Sequence, residues 1–218
     1  MAQISYMNFG ELIRPFAEEP LPLQVLLDLL KEYKRPYDKI NELVKKGELI
    51  MLKKGFYVSG PHLNIQRPES FLIANHLWGP SYVSLESALS HWSLIPERVY
   101  ETSSVTMKAA KTYQTPIGRF SYLRAPIPYY SFGIKTVALT KKQFALVASP
   151  EKALCDKIVM TSGIFLRSMI QVKEFLLEDL RIETDSLRQF NLQEMASWTN
   201  DAPKKTSLTM LIKTLQDL

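Results

Sequence analysis

The chain has 218 residues, 46% of them apolar, with 27 Lys and Arg against 22 Asp and Glu and a net charge of +5. That length buries a sizeable core, and two domains are expected of it. A single cysteine, Cys155, excludes an intrachain disulfide framework and a multi-cysteine zinc site. No run reaches the roughly 18 apolar residues of a membrane-spanning helix. The start, MAQISYMNFG, lacks the basic flank and apolar core of a signal peptide, so a soluble, cytoplasmic protein without membrane attachment is expected.

In chain order, Asn8 and Glu11 have capping-box spacing and predict a first helix that ends or bends near Pro15. Leu23, Leu26, Leu27 and Leu30 recur at helical spacing behind Pro20 and Pro22 and predict a second helix. Pro36 opens a third, whose apolar stripe is Ile40, Leu43 and Val44 and whose stop is Gly47. Leu49 to Leu52 reads as a strand, Lys53-Lys54-Gly55 as a tight turn and Phe56-Tyr57-Val58 as the returning strand. Helix, helix, turn, helix and hairpin is the order of a winged helix-turn-helix.

The stretch SGPHLNIQRP has glycine, two prolines and little periodicity. It marks a boundary between a DNA-binding domain at 1–60, a linker at 61–68 and a second domain at 69–218. The segments FLIANHLW and ESALSHWSL are expected to be helical, and YVSL and VYETSSVTM to be strands. A β-meander is expected next, with a turn at Thr115-Pro116-Ile117-Gly118. Ser149 then caps a helix carrying Pro150 and Glu151 in its first turn, and further helices break near Thr184 and Pro203. The fold class expected is α+β: an N-terminal winged helix-turn-helix followed by a mixed α/β domain with a mainly antiparallel sheet and C-terminal helices.

Charge is unevenly spread. Residues 101–145 carry seven bases against one acid, whereas residues 1–60, 61–100 and 146–218 each lie within one charge of neutrality, although residues 31–60 alone hold eight bases against four acids. Lys108, Lys111, Arg119, Arg124, Lys135, Lys141 and Lys142 alternate there with Tyr113, Phe120, Tyr122, Tyr129 and Tyr130, the pattern of a sheet with aromatics inward and bases outward. On the third helix, Lys34, Arg35, Asp38, Glu42 and Lys45 face away from the apolar stripe, with Asn41 on the flank. Asp38 and Glu42 would repel phosphate, whereas Lys53 and Lys54 at the hairpin tip would reach it.

His62, His76 and His91 lack the spacing of a metal pair, and Cys155 reads as a small core residue. There is no P-loop, dinucleotide fingerprint, nucleophile elbow or DxD pair. No catalytic residue, metal or cofactor is expected, and the chain reads as a non-enzymatic protein.

INELVKKGELIMLKKGFYV, SYVSLESALSHWSLIPE and ASPEKALCDKI, in this order within residues 8–160, resemble the AbiE-type abortive-infection antitoxins, transcriptional regulators of a viral defence system. The resemblance implies a type IV toxin-antitoxin role. A winged helix would repress its own operon by binding double-stranded operator DNA. The C-terminal domain would counteract a nucleotidyltransferase-like toxin without forming a stable complex. It places DNA-facing bases at Lys34, Arg35, Lys45, Lys46, Lys53 and Lys54, with Tyr37 and Asn41 as base or backbone contacts. Asp38 and Glu42 stand where the family pattern favours bases. The basic segment supplies an expected antitoxin surface at Lys108, Arg119, Arg124 and Lys135. The alternative is a stand-alone regulator whose second domain senses a ligand.

Overall fold

The computed structural model describes residues 8–218; the reading of the chain's start as lacking a signal peptide rests partly on residues 1–7, outside that range. Asn8 accepts a hydrogen bond from the Gly10 amide and opens α1 (Phe9–Ile13), which tightens into a 3-10 turn over Arg14–Phe16 at Pro15. β1 (Leu21–Pro22), α2 (Leu23–Leu29) and α3 (Pro36–Lys45) follow, Pro36 fitting the first turn of α3 because it needs no amide donor there. β2 (Leu49–Lys53) and β3 (Phe56–Ser59) form a hairpin, closed at Gly55 with φ +77°. β1 pairs with the outer side of β3, giving the order β1-β3-β2. Two residues, one of them proline, are too short for alternation to reveal such a strand.

The second part of the chain contains α4 (Ser70–Leu77), β4 (Ser81–Val83), α5 (Leu85–His91), β5 (Glu101–Thr106), β6 (Lys111–Thr115), β7 (Gly118–Arg124), β8 (Ile134–Ala138) and β9 (Phe144–Ala148). The C-terminal helices are α6 (Pro150–Met160), α7 (Met169–Lys173), which runs into π turns over Glu174–Asp179, α8 (Thr184–Leu187), α9 (Leu192–Thr199) and α10 (Lys205–Gln216). The fold is α+β. Among the described residues no helix is long and apolar enough to cross a membrane.

The six strands lie in the order β6-β7-β5-β4-β9-β8, with β5 parallel to β7 and β4 parallel to β9. This corrects the expected meander, in which β6 would lie beside β5. Burial explains the difference. In β7, Phe120 and Tyr122 are fully buried and need a neighbour on each side, whereas β6 is mostly exposed and serves as the polar edge. The hairpin β6-β7 therefore inserts its apolar arm against β5. Alternation along the strands then assigns the two faces. Tyr122 donates to the Ala74 carbonyl on α4, whereas Tyr82 donates to Asp156 on α6, so α4 covers one face and α6 the other.

Two apolar cores result, and the hairpin serves both. Phe9, Ile13, Leu26, Leu30, Ile40 and Leu43 fill the smaller one, joined by Leu49 and Tyr57. Leu52, Phe56 and Val58 point the other way and pack with Ile73, Ala74 and Leu77 of α4. β3 is thus buried on both faces, and the two sides of residues 61–68 do not hold fully independent cores. The joint is tight at Gly60, where a Cβ would stand 2.1 Å from the Gly47 carbonyl oxygen. Across the same joint the Gln143 amide donates to Glu18, and Lys142 pairs with Glu18 at 3.6 Å.

Candidate nucleic-acid interface

α3 buries Ile40 and Leu43 and turns its opposite side to solvent. The exposed side carries Tyr37, Asp38, Asn41 and Lys45 at helical spacing along one face, and Lys34 is exposed in the turn just before the helix begins. Tyr37 is 59% exposed, an unusual state for an aromatic side chain on a short helix. The ten residues of α3 extend about 15 Å, enough to lie along a major groove about 12 Å wide.

The expected acidic repulsion is mostly cancelled within the helix. Glu42 contacts Lys46 at 2.6 Å and Lys39 at 3.1 Å, and hydrogen bonds first from Lys46 and then from Lys39 hold its carboxyl below the usual range. Arg35 lies 3.7 Å from Asp38. Lys46 and Arg35 thus spend charge on neighbouring acids, whereas Lys34 and Lys45 make no ion pair among the described residues and point their charge outward. Lys39, absent from the expected DNA-facing residues, joins Lys46 in neutralising Glu42; its i,i+3 spacing was the available signal.

The hairpin tip splits its two lysines. Lys54 is exposed. Lys53 instead turns back onto the second part of the chain, donates to the Leu77 carbonyl and lies 5.4 Å from the Phe56 ring centroid. Burial, then repulsion from Lys108 and Lys111, holds its ammonium pKa below the usual lysine value. Sequence alone places both residues at a free tip because nothing local marks the docking of Phe56 against α4.

Comparison with protein-family models and with curated proteins gives no match. Among solved structures the chain is similar to the crystal structure of the RV2827C protein from Mycobacterium tuberculosis. The identity is 12% and the TM-score 0.60, over 95% of this chain and 75% of that one. The likeness is one of fold.

The four bases expected to make one antitoxin surface are not brought together. Arg119 and Arg124 are five residues apart on β7 and so project from opposite faces, and Arg119 is engaged by Glu101 at 3.2 Å. Lys135 is on β8, four strands from β7 and therefore about 19 Å away across the sheet. Lys108 lies beside Trp78, in a group with Lys53 and Lys111.

The charged run in ASPEKALCDKI is interior wiring. Ser149 caps α6, Glu151 accepts from the Asn191 amide, and Lys152, Cys155 and Asp156 are all buried. The Lys152 ammonium contacts Asp156 at 2.9 Å, donates to the Tyr129 carbonyl at 3.0 Å and lies 3.2 Å from the Tyr129 ring centroid. Asp156 also accepts from Tyr82 at 2.9 Å and Ser84 at 2.7 Å. Burial pushes the Cys155 thiol up to about 12, so it is neutral and shielded. A maleimide reagent should leave Cys155 unmodified in the native protein and label it fully in denaturant; rapid native labelling would show that α6 opens.

Among the described residues no group of three His, Cys, Asp or Glu side chains gathers as a metal site. His62 approaches the Lys46 carbonyl, His76 bonds the Leu72 carbonyl at 2.9 Å, and His91 lies 5.5 Å from the Phe71 ring centroid.

Proposed function

We propose that this chain is a DNA-binding transcriptional autorepressor that acts as the antitoxin of an AbiE-like type IV toxin-antitoxin operon. The observation that carries the DNA-binding part is the solvent-facing stripe of α3. There Lys45, and Lys34 just before the helix, make no ion pair among the described residues, Tyr37 and Asn41 offer base and backbone contacts, and Glu42 is neutralised by its neighbours. α2, α3 and the β1-β3-β2 sheet support a winged helix-turn-helix in which α3 enters the major groove and the hairpin is the wing. The antitoxin part rests on the resemblance of ASPEKALCDKI and its companion segments. Its target is a nucleotidyltransferase-like toxin, opposed without catalysis and without a stable complex.

The test joins both parts in cells. With the upstream region of its gene fused to a reporter, the full chain should repress, and Lys34→Ala/Lys45→Ala should relieve repression. Rescue of growth from the adjacent toxin should survive that double substitution, because the toxin-opposing role lies in the second part of the chain. A reporter indifferent to the full chain would sink autorepression. Failure of the full chain to rescue growth would sink the antitoxin role.

A further inference from the structure

Three lysines converge on one indole, Lys53 from the hairpin, Lys108 from the connection between β5 and β6, and Lys111 from the start of β6. Lys111 lies 4.5 Å, Lys108 5.0 Å and Lys53 5.9 Å from the Trp78 ring centroid. Tyr113 adds a second ring, 5.0 Å from Lys111 and 5.8 Å from Lys53. The indole is fixed in place, since its Nε1 donates to the Ala109 carbonyl at 3.1 Å. Lys53 and Lys108 also donate to the carbonyls of Leu77 and Gly79.

No ion pair among the described residues engages any of the three. The segments that build the patch, residues 49–68, 70–85 and 102–150, contain no Asp or Glu at all. Like charges held together without a counter-charge repel, and this repulsion from Lys108 and Lys111 adds to burial in lowering the pKa of Lys53. Aromatic faces offset part of that repulsion but satisfy no net charge. The missing component is an anion. With the ring already attended by ammonium groups, the patch suits a phosphate rather than a stacked base.

We propose that Lys53, Lys108 and Lys111, gathered on Trp78, form a phosphate clamp that holds the backbone of the duplex bound by α3, extending the DNA interface onto the second part of the chain. This rests on the DNA-binding reading above. The hairpin supplies the distance. β2 begins four residues after α3 ends, and its five residues carry the chain about 17 Å to Lys53. Half a helical turn of B-DNA is also about 17 Å, the step from a major groove to the phosphates flanking the next minor groove. Lys108, grouped by sequence with the antitoxin bases, is reassigned to the DNA side.

The experiment measures the binding of the full chain to a duplex about three helical turns long across a salt series. Lys108→Ala/Lys111→Ala should make the slope of log K against log salt shallower by about two, one per lost phosphate contact. The control Lys173→Ala/Lys213→Ala removes the same charge from α7 and α10 and should leave the slope as in the parent. Lys108→Gln/Lys111→Gln should reproduce the Ala result, with unchanged melting showing that the fold is intact. A slope equal to the parent's in both clamp variants, with Lys34→Ala/Lys45→Ala still weakening binding, overturns the clamp and leaves the α3 reading standing. If the parent chain binds no duplex, the two fall together.

Discussion

Replacing Asp156 with alanine is expected to destabilise the fold by roughly 3–5 kcal/mol, because it strands a fully buried ammonium, that of Lys152, with no counter-charge. The same change takes the acceptor from the Tyr82 and Ser84 hydroxyls, which are themselves buried. For a chain of this length such a loss lowers the melting temperature by roughly 2–4 °C per kcal/mol. The partner experiment is Lys152→Met/Asp156→Leu, which removes both charges and fills the space with apolar atoms. It should be less destabilising than Asp156→Ala alone, since an ion pair buried this deeply spends most of its attraction on desolvation. Urea unfolding with an unchanged slope in denaturant gives both values. If Asp156→Ala falls within about 1 kcal/mol of the parent, the pair is not the buried strut described here.

That network shows where sequence reading stops. The Ser149 cap, Pro150 and Glu151 are local signals, and they place the start of α6 correctly. Nothing local marks Lys152 and Asp156 as buried, because what buries them, Tyr82, Ser84 and Tyr129, lies more than twenty residues away in the chain. The helices of the N-terminal part were legible for the opposite reason. Leu26, Leu30, Ile40 and Leu43 follow a period fixed by the helix itself. Strand order was not legible, because β6 and β7 both alternate and only the burial of Phe120 and Tyr122 decides which lies inside. The stripe on α3 was visible as spacing, but its electrostatics depended on Lys39 and Lys46 closing on Glu42. The clamp residues Trp78 and Lys111 could be found only once the hairpin was seen to dock on α4, a contact between Phe56 and the α4 side chains with no local signature.

The second large effect is expected on the α3 face. Substituting Lys34 and Lys45 by alanine should flatten the salt dependence of DNA binding by about two, since each loses one phosphate contact and neither holds the fold together. Asn41→Ala should act differently. It removes a side chain suited to adenine, so it should cost about 1–3 kcal/mol on the preferred sequence and little on mixed-sequence DNA. Equilibrium titration on both duplexes separates the two effects. Equal losses from Asn41→Ala on both would make Asn41 a backbone contact.

The central claim is that α3 is the element DNA covers, and amide hydrogen exchange with and without duplex from the chain's own upstream region tests it most directly. Residues 36–45 and the hairpin at 49–59 should exchange more slowly in the complex, with α7 to α10 unchanged. Protection confined to the C-terminal helices, with α3 exchanging as in the free protein, would contradict the account.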